Sequence, residues 1–203
     1  MTEAEQFLAE RGLDVARMDG YARMATDWNL DSHRHQWIVR DEHISRFGFA
    51  VLTADAIKAI TPYGPLLEIG CGCGYWSFEL RRAGIDVIAT DPGLGRYRFL
   101  GQAGHWERLW VDDIERVSGE DAVKKYPQRN LLIIWPDYGD SWPVECLRAF
   151  AGKTVLYGGE WMGCTADEEF HSHLEAHFTR KETISLPQFD GIHDALEVWE
   201  RSA

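Results

Sequence analysis

The chain has 203 residues, 45% of them apolar, and its 21 Lys and Arg against 33 Asp and Glu give a formal net charge of −12. That length suits one domain able to bury a core without staples, and the scattered basic residues argue against a nucleic-acid partner, whose phosphates call for a basic stripe. No run reaches the ~20 apolar residues of a membrane span. The start, "MTEAEQFLAERG", is acidic and amphipathic rather than basic and then apolar like a signal peptide, so the expected location is the cytoplasm.

Residues 3–11 and roughly 15–28 have helical spacing, whereas "DSHRHQWIVRDEH" (31–43) is polar and aromatic without a clear period. Residues 44–60 end as a helix, with Thr53 and Asp55 both suited to cap it, and "TPYGP" then breaks the chain. Residues 1–60 read as a helical extension or cap, and 61–203 as the main unit. From residue 66 the pattern alternates. "LLEIG" is a short buried strand, 75–84 a helix closed by Gly84, and "DVIATD" a strand. Residues 95–102 read as a short helix, "WERLWVDD" (106–113) as a strand, and "NLLIIWP" (130–136) as the most apolar strand. A helix over 141–152, capped by Ser141 and stopped by Gly152, precedes the strand "TVLYGGE" and a helix over 165–178. Two alternating segments, 179–189 and 194–201, close the chain as an antiparallel pair.

Strand alternating with helix implies a three-layer α/β fold, with a mostly parallel sheet covered on both faces and the last strand antiparallel. Seven strands are expected. Ligands of such sheets sit beyond the carboxyl ends of the central strands.

The first strand runs into "EIGCGCG", which places Gly70, Gly72 and Gly74 in a tight turn before a helix with free N–H groups. Tyr75 stands where a dinucleotide G-x-G-x-x-G fingerprint needs Gly or Ala. Zinc is not expected at Cys71 and Cys73, because one intervening residue is too few and Cys146 and Cys164 lie far off. The motif, with its acid two residues before the first glycine, resembles the first motif of class I S-adenosylmethionine-dependent methyltransferases. The resemblance covers roughly residues 63–201.

The resemblance implies S-adenosylmethionine as cofactor and a set of residues to hold it. Glu68 would help place the methionine amino group, and Gly70, Cys71, Gly72 and Gly74 would lie along the methionine and ribose. Asp91, at the end of "VIATD", would accept from both ribose hydroxyls. Asp113 would accept from the adenine amino group, with Asp112 as the other candidate, and Ile114 would pack on the ring. Trp135, at the end of the fourth strand, completes the cofactor set.

The methyl group would be transferred beside "WPDYGDSW" (135–142), which is similar to the D-P-P-Y motif of amino-methylating enzymes. Trp135 replaces that motif's first Asp or Asn, and Asp137 its second proline, which weighs against a nucleobase amino group. Asp137, Tyr138 and, in the next loop, Glu160 are the candidate catalytic residues, as base, wall or substrate acceptor. Trp161 is placed to stack on a flat or cationic group. Glu169, His173 and His177 share four-residue spacing but read as a solvated helix face, so no metal is expected. His33 and His35 read as surface residues. The reading is a methyltransferase acting on a small molecule by in-line transfer. The alternatives are a non-catalytic binder of the same nucleoside, serving as sensor or partner subunit, and a nucleic-acid or protein methyltransferase.

Overall fold

The computed structural model describes residues 1–20, 22, 24–25, 29–93, 96–99 and 102–202. Helix α1 (Glu3–Glu10) opens on a capping box between Thr2 and Glu5. Helix α2 (Leu30–Phe47) covers the segment whose period was unclear in the sequence. Its buried positions, among them Val39, Arg40, His43 and Phe47, fall on one face, although two of those residues are charged or ionisable types that blur the apolar stripe. Of the helix expected near 15–28, a 3-10 turn at Val15–Arg17 and helical residues at 22, 24 and 25 are present. Residues 21, 23 and 26–28 of that stretch lie outside the described residues. Thr53, not Asp55, caps α3 (Ala54–Ile60).

The main sheet has six strands: β1 (Leu66–Ile69), β2 (Val87–Thr90), β5 (Asn130–Ile134), β6 (Thr154–Gly159), β7 (Phe178–Ser185) and β8 (Ala195–Arg201). Their order is β2-β1-β5-β6-β8-β7. Strands β1, β2, β5 and β6 run parallel, and β8 pairs antiparallel with both β6 and β7. The remaining two strands, β3 (Arg96–Phe99) and β4 (Gln102–His105), form a separate antiparallel hairpin. Of the short helix expected over 95–102, residues 96–99 and 102 are strand instead, in keeping with the period-two alternation of "RYRF", and residues 95, 100 and 101 lie outside the described residues.

The strand expected over 106–113 does not form. Glu107 N–H donates to Ser45 and Trp110 N–H to Cys73, so the backbone of this stretch is tied to α2 and the glycine turn instead of a sheet edge. Trp110 packs on Phe47, Tyr75 and Phe78. The chain meets the sheet only afterwards, at a bridge between Thr90 and Glu115. Among the described residues the main sheet accordingly has six strands where seven were expected.

Side-chain alternation assigns each strand residue to a layer. Leu66, Leu132, Leu156, Leu196 and Val198 face the core shared with α1, α2 and α4 (Tyr75–Arg82). Leu67, Leu131, Ile133, Val155 and Trp199 face the core shared with α5 (Gly119–Lys125), α6 (Trp142–Ala149) and α7 (Glu168–His177). Helix α6 leaves its helical path at Phe150, two residues before Gly152, and Ser141 Oγ bonds Glu145 without capping a backbone N–H. Asp167 caps α7. The amino-terminal segment is anchored to the main unit: Thr2 Oγ1 donates to the Leu52 carbonyl at 2.9 Å, and Ala4 N–H to the Tyr75 hydroxyl at 2.9 Å. No helix among the described residues is long and apolar enough to cross a membrane.

Candidate functional site

The carboxyl ends of β1, β2 and β5 open into a cleft of about 640 Å³. Its floor is the glycine turn. Gly70, Gly72 and Gly74 have φ of 63°, 58° and 74°, left-handed values that disfavour any residue with a Cβ. Space is limiting as well. A Cβ on Gly70 would lie 3.0 Å from the Trp142 indole, and one on Gly72 would lie 2.8 Å from Trp106, so both positions admit an indole against bare backbone. Gly74 does another job: it starts α4, and a Cβ there would meet Val111 at 2.7 Å, outside the cleft lining.

Asp91 follows β2 and faces this turn. Gly72 N–H donates to its Oδ2 at 2.9 Å, and Gly93 N–H to its Oδ1 at 2.8 Å. Each oxygen keeps a lone pair for a further donor. Burial raises the Asp91 pKa against the pull of those two N–H groups. Glu68, inside β1, is buried and accepts from Ser77 Oγ of α4; burial pushes its carboxyl up to about 7. Cys71 and Cys73 are free buried thiols, both raised by burial, Cys73 to about 12. Glu68, Gly70, Cys71, Gly72 and Asp91 all line the cleft.

Asp113 and Ile114 do not. Asp113 points outward and pairs with Arg81 at 2.6 Å, which holds its carboxyl below the usual range. Asp112 lies beside it on that outer face. Ile114 packs with Cys71 and Ala89 beneath the turn. The parallel bridge at Glu115 puts the following residues level with the end of β2, and Ser118 and Gly119 line the cleft there.

At the end of β5, Trp135 has a left-handed φ of 50°. It lines the cleft, stacks on Phe49 at 5.0 Å and 14°, and donates its indole N–H to Asp194 at 2.7 Å. Asp194 is buried beside Glu160 and Arg40, and burial pushes its carboxyl up to about 8. Arg40 is itself buried, with its pKa lowered by desolvation and supported by the charges of Asp194 and Glu160.

Of the three residues marked as catalytic candidates, Asp137 and Tyr138 line the cleft mouth and Glu160 does not. Asp137 Oδ2 accepts from the Trp142 indole N–H at 3.0 Å. Glu160 is buried in the loop after β6, where its carboxylate accepts from His193 N–H at 3.0 Å and Cys164 N–H at 3.3 Å. Trp161 stacks on Trp199 at 5.1 Å rather than facing the cleft. His33 contacts Asp190 and His35 the Arg11 carbonyl, and neither reaches the cleft. On α7, Glu169 is paired with Arg148, and the His173 and His177 rings lie 4.3 Å apart.

Sequence reasoning missed Phe49, Tyr97 and Trp106 as cleft residues. Only their aromatic character was visible, and aromatic residues are more often core than site. Trp142 and Cys164 were nearer to hand, since both lie in the stretches after β5 and β6 already marked as informative.

No family model and no curated protein matches the chain. Among solved structures, it is similar to magnesium protoporphyrin IX methyltransferase from Synechocystis PCC 6803 with bound S-adenosylmethionine, at 10% identity and a TM-score of 0.52, covering 100% of this chain and 99% of that one. It is also similar to an O-methyltransferase of neocarzinostatin biosynthesis in complex with S-adenosylmethionine and a naphthoic acid, at 13% identity and a TM-score of 0.50, covering 98% of this chain and 69% of that one. The chain has the class I methyltransferase fold.

Proposed function

We infer that the protein transfers a methyl group from S-adenosylmethionine to a small-molecule acceptor. The observation that carries this reading is the Asp91 carboxylate, tied to Gly72 and Gly93 N–H beside a left-handed glycine turn, on the floor of a cleft open at the ends of β1, β2 and β5. A nucleoside ribose fits that arrangement: bare backbone admits close approach, and the free lone pairs of Asp91 suit paired hydroxyls. Gly70, Cys71 and Gly72 are assigned to the cofactor's length, Glu68 to its amino group, and Trp135 to the wall beside it. Ser118 and Gly119 take the place at the nucleoside end that the sequence suggested for Asp113.

When bound, S-adenosylmethionine supplies a methyl group on a positively charged sulfur, a leaving group that is already activated. The protein's task is then mostly to position the acceptor in line and exclude water. Asp137 and Tyr138 line the cleft, and this reading assigns Asp137 to accept a proton from the acceptor and Tyr138 to close over it. Glu160 acts from behind the wall, fixing the loop through His193 and Cys164, and does not touch the acceptor.

The test is incubation with methyl-labelled S-adenosylmethionine and a metabolite extract. A labelled small molecule is expected with the wild type, and roughly 10²-fold less of it with Asp137→Asn if that carboxylate takes the proton. Tight nucleoside binding without any labelled product from broad extracts would overturn the reading.

A further inference from the structure

The cleft carries information about its second ligand in its walls. One wall is a continuous aromatic surface from four separate segments. Phe49 stacks on Trp135, meets Tyr97 edge-on at 5.7 Å, and meets Trp106 edge-on at 6.4 Å; Tyr97 and Trp106 rings are 4.5 Å apart. The other side is the turn after β5, where Trp142 is held by Asp137 on its indole N–H and by Asp140 on its backbone N–H. Aromatic faces carry negative quadrupoles, and carboxylates carry full negative charge, so both attract cations.

The charged groups among the described lining residues have one sign. Asp91, Asp137 and Asp140 line the cleft beside Glu68, whose carboxyl burial pushes up to about 7, and none of the described lining residues is Lys, Arg or His. Arg40 approaches the wall, 5.6 Å from the Trp135 ring, but it is buried behind it, beside Asp194 and Glu160. An acceptor bearing a carboxylate or phosphate would find no described cation to replace its water. A flat ring carrying a positive or protonatable nitrogen would find stacking surfaces and acceptors together.

We propose that the acceptor site of this cleft selects planar aromatic nitrogen compounds that are neutral or cationic, and rejects anionic ones. Calling the ligand an acceptor rests on the methyltransferase reading; the charge and shape preference of the cleft does not.

The experiment is titration calorimetry on the full chain with three probes: N-methylquinolinium as a flat cation, 2-naphthoate as a flat anion of similar size, and choline as a cation without a ring. Each is titrated with and without S-adenosylhomocysteine, in about 0.3 M salt so that the chain's general negative field is screened. N-methylquinolinium is expected to bind roughly tenfold more tightly than either of the others. Asp137→Asn keeps an oxygen for the Trp142 indole N–H, and it should cut the cation-over-anion ratio by about threefold or more. Naphthoate binding as tightly as quinolinium would overturn the charge preference, and choline doing so would overturn the role of the rings. Quinolinium binding with no S-adenosylhomocysteine binding would sink the methyltransferase reading alone. The reverse result would sink this proposal alone.

Discussion

Asp91→Ala removes one side chain that serves both the fold and the ligand. In the free protein its carboxylate accepts from Gly72 N–H at 2.9 Å and Gly93 N–H at 2.8 Å. A net hydrogen bond is worth about 1 kcal/mol, and the Gly93 bond is exposed, where water replaces it cheaply. The stability loss is therefore expected near 1–2 kcal/mol, a fall of roughly 2–8 °C in melting temperature for a chain of this size. The cost to the ligand is larger, because the ribose hydroxyls lose a charged acceptor and the turn loses its tether. Affinity for S-adenosylhomocysteine should drop by about 1–3 kcal/mol, or roughly 5- to 150-fold. Asp91→Asn offers one oxygen and one N–H in place of two oxygens. It can keep the Gly72 bond but not both bonds, so it should fall between wild type and Asp91→Ala in both assays. Thermal melts and calorimetric titration check this. An Asp91→Ala variant with wild-type affinity would refute the assignment of this carboxylate to the ribose.

Three further outcomes are expected. Glu68 has a folded-state pKa of about 7 against an ordinary 4.5. Its contribution is thus fully present below about pH 4 and lost as pH rises through about 7, so Glu68→Gln should gain on the wild type between pH 5 and 8, by up to about 3 kcal/mol in urea unfolding. Asp194→Leu leaves the buried Trp135 N–H without its acceptor and should cost at least about 2 kcal/mol at pH 6, whereas Asp194→Asn, which keeps that oxygen, should cost less than half as much in the same unfolding assay. Gly84 and Gly74 both have left-handed φ, but a Cβ on Gly84 meets open space while one on Gly74 meets Val111 at 2.7 Å. Gly84→Ala should therefore cost about 1 kcal/mol and Gly74→Ala clearly more, as read from denaturation midpoints.

The parallel part of the fold was legible because its strands are largely buried and bounded by glycine or proline turns. "LLEI" and "NLLII" form central strands and "VIAT" the edge strand beside them, and the closing antiparallel pair follows from two alternating segments without a helix between them. The stretch 91–115 was not legible. Its tryptophans gave it a strand-like apolar content, but Trp110 is spent on the α2–α4 core, and the backbone bonds go to Ser45 and Cys73. This shift also explains why Asp113, one residue before Ile114 in a motif-like run, faces Arg81 and solvent while Ser118 and Gly119 reach the cleft. The glycine turn and Asp91 were readable since backbone conformation and a short strand fix their positions. Glu160 was misplaced because a loop residue's direction depends on its partners, His193 and Cys164, one of which lies 33 residues on. The aromatic wall drew on four distant segments, a juxtaposition that no local pattern encodes.

The most direct measurement is calorimetric titration of the wild-type chain with S-adenosylhomocysteine, which needs no knowledge of the acceptor. A single site with a dissociation constant in the micromolar range, about −8 kcal/mol, is expected, weakened by Asp91→Ala. Absence of heat and of any thermal shift at about 1 mM ligand, a free energy weaker than about −4 kcal/mol, would contradict the account.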